Sequence, residues 1–137
     1  MLERWYWLSI VVIFLWALGG FFGKVALKYH TPYRVYFFEA VGTLTVATVV
    51  LLLRWDEIFQ DFSISIPALL MGLMWGVGTV LFIVALKYGK LSIIAPLTST
   101  YPVITVILAI VFLKESLSLR ESLGVFFAVL AAALLAE

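Results

Sequence analysis

Five long apolar runs occupy nearly the whole chain: roughly 5–29, 33–53, 66–88, 91–113 and, extended by Ser118–Glu121, 119–136. About 20 apolar residues cross the hydrocarbon core of a bilayer, and a run of 18 or more reads as a spanning helix. The expected fold class is therefore an all-α membrane protein with five transmembrane helices, multi-pass, with residues 1–137 as one membrane domain and its termini on opposite faces. Of 137 residues 65% are hydrophobic and 12% charged, which leaves no face polar enough for a water-soluble fold.

The basic residues are divided almost evenly between the two faces that these helices define. Arg4, Arg54, Lys114 and Arg120 flank the N-terminal face, and Lys24, Lys28, Arg34, Lys87 and Lys90 lie toward the other, four against five. A Lys/Arg bias in short loops is what ordinarily fixes orientation. Its near absence suggests insertion both ways up and pairing of the chain with an inverted copy of itself. The competing expectation is one orientation, set by the first helix. A net charge of +1 with no basic stripe argues against a nucleic-acid partner. The absence of cysteine removes disulfides, thiol catalysis and Cys-ligated zinc. The first run exceeds the apolar core of a secretory signal, so it is read as a retained helix.

Punctuation along the chain sets the element ends. Trp5, Tyr6 and Trp7 open the first helix as an interfacial anchor, and His30-Thr31-Pro32 turns the chain. Asp56–Ser65 interleaves acids with Ile58, Phe59 and Phe62 and reads as a short interfacial segment, with Pro67 in the first turn of the third helix. That helix ends Val84-Ala85-Leu86-Lys87-Tyr88, the five residues that also close the first at Val25–Tyr29, with Gly89 expected just past its end. Ser118 and Glu121 have the form of a capping box. Gly124, Ala128 and Ala132 recur every fourth residue as a helix-packing seam.

Two charged residues lie clearly within apolar runs, Lys24 and Glu39. At about 1.5 Å per residue both sit roughly 6–9 Å below the same face, on consecutive helices. One reading makes them a structural ion pair; the other makes Glu39 a site for a proton or a cationic substrate. Trp16, Trp75 and Tyr101 lie deep in their helices, either filling volume or flooring a cavity. Pro102 removes an amide donor, so the carbonyl of Thr98 needs another partner, and the hydroxyls of Thr98, Ser99 and Thr100 are at hand. The Thr98, Ser99 and Tyr101 patch beside this break is the stronger substrate candidate. Gly19, Gly23, Gly76 and Pro102 are the expected flex points. No catalytic constellation, metal cluster or nucleotide motif is present, so neither enzyme activity nor a cofactor is expected.

The ordered series Ala85-Leu86-Lys87-Tyr88-Gly89, Pro96 to Pro102-Val103, Phe112-Leu113-Lys114-Glu115, Ser118 and Gly124 resembles the EamA domain of the drug/metabolite transporter superfamily. Gly19 to Lys24 and Pro32 fit more loosely. The resemblance implies a five-helix unit, usually present twice in inverted orientation, that moves small metabolites or organic cations across the inner (plasma) membrane. This chain carries one unit, half of such an inverted-repeat fold. An antiparallel homodimer, or a paired homologue, would supply the other half. The alternative is a non-transporting subunit or assembly partner of another five-helix protein.

Overall fold

The computed structural model describes residues 4–60 and 62–135, and at 132 and 135 the backbone alone. The described residues form helices without strands: α1 (Arg4–Ala26), α2 (Pro32–Leu53), α3 (Trp55–Phe59), α4 (Ile66–Tyr88), α5 (Leu91–Thr98), α6 (Tyr101–Leu108) and α7 (Leu119–Leu135). Four segments, 4–26, 32–53, 66–88 and 91–113, are long and apolar enough to cross a membrane. At 17 residues α7 is shorter than these, about 26 Å at 1.5 Å per residue. Position 136, expected to end the last helix, lies outside the described residues.

The chain divides after Tyr88 into two compact units. In the first, α4 packs against both α1 and α2. Its buried apolar core is small, Val35, Ile83 and Leu86, joined by Pro32 at the start of α2. These residues cluster where α1 and α4 end and α2 begins. Most of the remaining apolar surface is open, from Trp7 and Phe14 in α1 to Leu53 at the end of α2. In a membrane such surface meets lipid or another chain, because no water is present to penalise it.

The first helix stops three residues before the expected Tyr29. The amides of Lys28, Tyr29 and His30 turn back onto the carbonyls of Val25 and Ala26 at 3.0–3.1 Å. Pro32 explains this, since it requires an extended residue before it. Thr31 obliges at φ −70°, ψ 154°, and Pro32 then starts α2. Arg54 ends α2, α3 supplies the expected interfacial segment, and the rings of Trp55 and Phe59 meet at 4.4 Å with an interplanar angle of 41°. The hydroxyl of Ser65 accepts the Ala68 amide at 3.4 Å at the start of α4. Gly89 does not adopt the left-handed conformation of a C-cap glycine; no described glycine has positive φ. Lys90 is extended and α5 begins at once, leaving no room for that motif.

The second unit differs most from expectation. The span predicted as one helix over 91–113 is broken at Ser99–Thr100, between α5 and α6. It then closes in a π-helical turn over Ala109–Leu113. Lys114 follows in the left-handed region, at φ 59°, and the Glu115 amide returns to the Ala109 carbonyl at 3.3 Å. The capping box forms reciprocally: the Ser118 amide donates to Glu121 Oε2 at 2.7 Å, and the Glu121 amide donates to Ser118 Oγ at 3.4 Å. Against α5 and α6 packs α7. At Gly124 and Ala128 its small-residue seam makes no packing contact: a Cβ on Gly124 would meet nothing within 4 Å, and Ala128 is exposed. The side chain of Ala132 lies outside the described residues.

Candidate functional site

In the first unit the structure brings together two of the residues singled out from sequence. Trp16 stands about midway along α1 and Trp75 near the middle of α4, and their rings meet at 5.4 Å between centroids with an interplanar angle of 58°. That is a favourable tilted geometry for aromatic rings. Both stay open, 57% and 50% exposed, so the pair presents an aromatic face at mid-helix depth. Beside it, Gly76 faces α2: a Cβ there would stand 3.5 Å from the hydroxyl of Tyr36, an ordinary contact.

Lys24 and Glu39 do not form the expected ion pair. The nitrogen of Lys24 donates to the main-chain carbonyl of Leu86 at 2.5 Å. Helix ends leave their last carbonyls without intrahelical donors, and the same end carries the negative pole of the helix dipole. A lysine from α1 therefore finds its acceptor on the backbone of α4. Glu39 is exposed, and its Oε1 accepts from the hydroxyl of Thr43, one turn further along α2, at 3.1 Å. By helical spacing Tyr36, Glu39 and Thr43 share one stripe of α2.

In the second unit the break exposes a polar step inside an apolar span. The hydroxyls there do not serve the carbonyl of Thr98. Thr98 donates to the carbonyls of Ile94 and Ala95 (2.8 and 3.0 Å), Ser99 to Ala95 (2.7 Å) and Thr100 to Leu97 (2.6 Å). Back-bonding of this kind satisfies the last carbonyls of α5 and opens the ladder where it ends. The break precedes Pro102 because proline is tolerated in the first turn of a new helix, which is the place it takes in α6. Ser99 and Tyr101 are exposed at the step.

Gly19 and Gly23 lie within α1. A Cβ at Gly23 would sit 4.0 Å from Leu86 Cδ1, whereas one at Gly19 would meet nothing within 4 Å. Sequence reasoning missed Tyr36, which reads as one more aromatic in an apolar run. Its polar stripe with Glu39 and Thr43 was the available signal. It also missed the carbonyl of Leu86 as the partner of Lys24, since a backbone acceptor on another helix leaves no mark in composition.

Comparison with known proteins places this architecture. Residues 3–136 match the model of the EamA-like transporter family. The chain is 31% identical over 128 residues to the uncharacterized protein MJ1333.1 of Methanocaldococcus jannaschii, with 93% of each chain covered. No solved structure matches it.

Proposed function

The chain belongs to the EamA-like transporter family, and from that premise we propose that it is a secondary transporter of small metabolites or organic cations. It works as an antiparallel homodimer of five-helix units in the inner (plasma) membrane, by alternating access. The observation that carries this reading is the break at Ser99–Thr100, with Ser99 exposed, within the 91–113 span. Irregular backbone at membrane depth is tolerated where it is buried in protein or lines a water-filled cavity, and it is not tolerated against lipid. Interrupted spans of this kind form the substrate sites of many transporters built from inverted repeats.

Within this reading Thr98, Ser99 and Tyr101 offer polar contacts and Trp16 with Trp75 an aromatic platform. Glu39 and Lys24 are the charges available to a proton or substrate. Gly19, Gly23, Gly76 and Pro102 take up the backbone change between access states. The even division of lysine and arginine supports insertion in both orientations, which supplies the inverted partner from the same chain.

Two measurements test this. Single cysteines at Leu2→Cys or Ala136→Cys, in a chain that has none of its own, are labelled in intact cells with an impermeant reagent. Comparable partial labelling at both positions is expected. The purified chain alone is then reconstituted in liposomes and assayed for counterflow of labelled organic cations and amino acids. Labelling at one terminus only, with no counterflow, would overturn the homodimeric transporter and favour a subunit that needs another five-helix protein.

A further inference from the structure

The pentapeptide Val-Ala-Leu-Lys-Tyr occurs twice, at 25–29 and 84–88, and the fold sets the two copies side by side. Leu27 and Lys28 of the first, Leu86 and Lys87 of the second, and Lys24 line one recess of about 130 Å³. The matched pairs, Leu27 with Leu86 and Lys28 with Lys87, come from equivalent positions of the repeat. Three of these five residues are lysines, and none is acidic. Neither Lys28 nor Lys87 forms an ion pair with a carboxylate of the described residues. Lys87 instead holds its ammonium 5.5 Å from the ring centroid of Tyr88.

A lysine near a helix C-terminus complements the dipole, and Lys24 on the Leu86 carbonyl is accounted for in that way. Lys28 and Lys87 are exposed and line the same recess, which therefore carries positive charge and no carboxylate. The recess is small, about 130 Å³ against the ~300 Å³ of an ordinary small-molecule pocket, and offers room for an anionic group of phosphate size. Location limits it further, for the recess lies at the ends of two apolar spans, beside the exposed Tyr29 and Tyr88. Tyrosines at span ends mark the headgroup layer, and basic pockets between spanning helices bind anionic headgroups.

We infer that the paired Leu-Lys repeats, with Lys24, form a phosphate-ester site that is filled from the membrane by an anionic phospholipid headgroup. The full chain, purified in neutral detergent, is titrated with phosphatidylglycerol and with phosphatidylcholine, and bound lipid is counted by native mass spectrometry. Phosphatidylglycerol is expected to bind in preference. The double variant Lys28→Gln/Lys87→Gln, which keeps Lys24 on Leu86, should weaken that binding by about fivefold per lysine, roughly 25-fold in all. Lys28→Arg/Lys87→Arg should retain it, and Lys114→Gln/Arg120→Gln, with equal loss of charge elsewhere, should leave it unchanged. Equal weakening by both glutamine pairs, or none by the first, overturns the site. Displacement of the lipid by millimolar glycerol phosphate overturns the lipid assignment and gives the recess to a soluble phosphate ester.

Discussion

The side-chain nitrogen of Lys24 donates to the main-chain carbonyl oxygen of Leu86 at 2.5 Å, tying the last turn of α1 to the last turn of α4. Leu86 is fully buried, so this contact lies against the best-packed part of the first unit. The lysine acts as a helix cap supplied by a neighbouring helix.

Lys24→Gln should therefore lower stability by roughly 1.5–3 kcal/mol, the ordinary worth of a hydrogen bond to a charged group. Glu39→Gln should change it by less than about 0.5 kcal/mol, as expected of an exposed side chain outside a packed network. Thermal unfolding of both variants in detergent checks this. Equal losses would restore the Lys24–Glu39 ion pair.

The contact of Trp16 with Trp75 should show a coupling of about 0.5–1.5 kcal/mol in a double-mutant cycle with Leu at each position. If the open face of the pair takes substrate, Trp75→Leu should also raise the half-saturating concentration in counterflow more than it lowers the maximal rate. A cycle that sums to zero would mean that the rings merely lie near one another.

At Gly76 the Tyr36 hydroxyl limits what fits. A Cβ stands at 3.5 Å, an ordinary van der Waals distance, and alanine is favoured over glycine within a helix by about 1 kcal/mol. Gly76→Ala should thus be neutral or mildly stabilising. Gly76→Leu, which drives further atoms toward α2, should cost about 1–3 kcal/mol. Thermal midpoints of the two variants in one detergent decide it.

Lys114 occupies the left-handed conformation that commonly falls to glycine at a helix end, a cost of about 1–2 kcal/mol for a residue with a side chain. Lys114→Gly should raise stability by about 1 kcal/mol, and Lys114→Val should lower it. The glycine variant also shifts the balance of basic residues from four against five to three against five. With dual insertion, terminus labelling should then move toward the orientation that leaves the N-terminal face outside, because the richer face stays in the cytoplasm. Unchanged labelling would mean that these charges do not set orientation.

Local punctuation was legible along the chain. The Ser65–Pro67 start of α4 and the Ser118–Glu121 box each act within a few residues and took the role expected of them, whereas Pro32, expected in the turn before the second helix, is that helix's first residue. The break near Pro102 was legible too, though not its position. Proline removes a donor at 102, and the break falls in the turn before it, at Ser99–Thr100, where the hydroxyls of Ser99 and Thr100 share the carbonyls of Ala95 and Leu97 with the backbone. Lys24 does not form the ion pair that one of its two readings gave it. Depth placed it level with Glu39, but depth says nothing of azimuth around the helix.

The sequence by itself determined that this is a helical membrane chain and, outside 91–113, where its long helices begin and end within a few residues. Those properties follow from local periodicity, from backbone stops and from the energy of apolar surface in a bilayer, none of which needs a neighbour. Only the tertiary structure decided that Lys24 caps α4, that Trp16 meets Trp75, and that two distant copies of one pentapeptide share a basic recess. Such contacts depend on how helices are rotated against one another. In an apolar environment that rotation is set by the few polar groups that need partners and by close packing, rather than by a hydrophobic face.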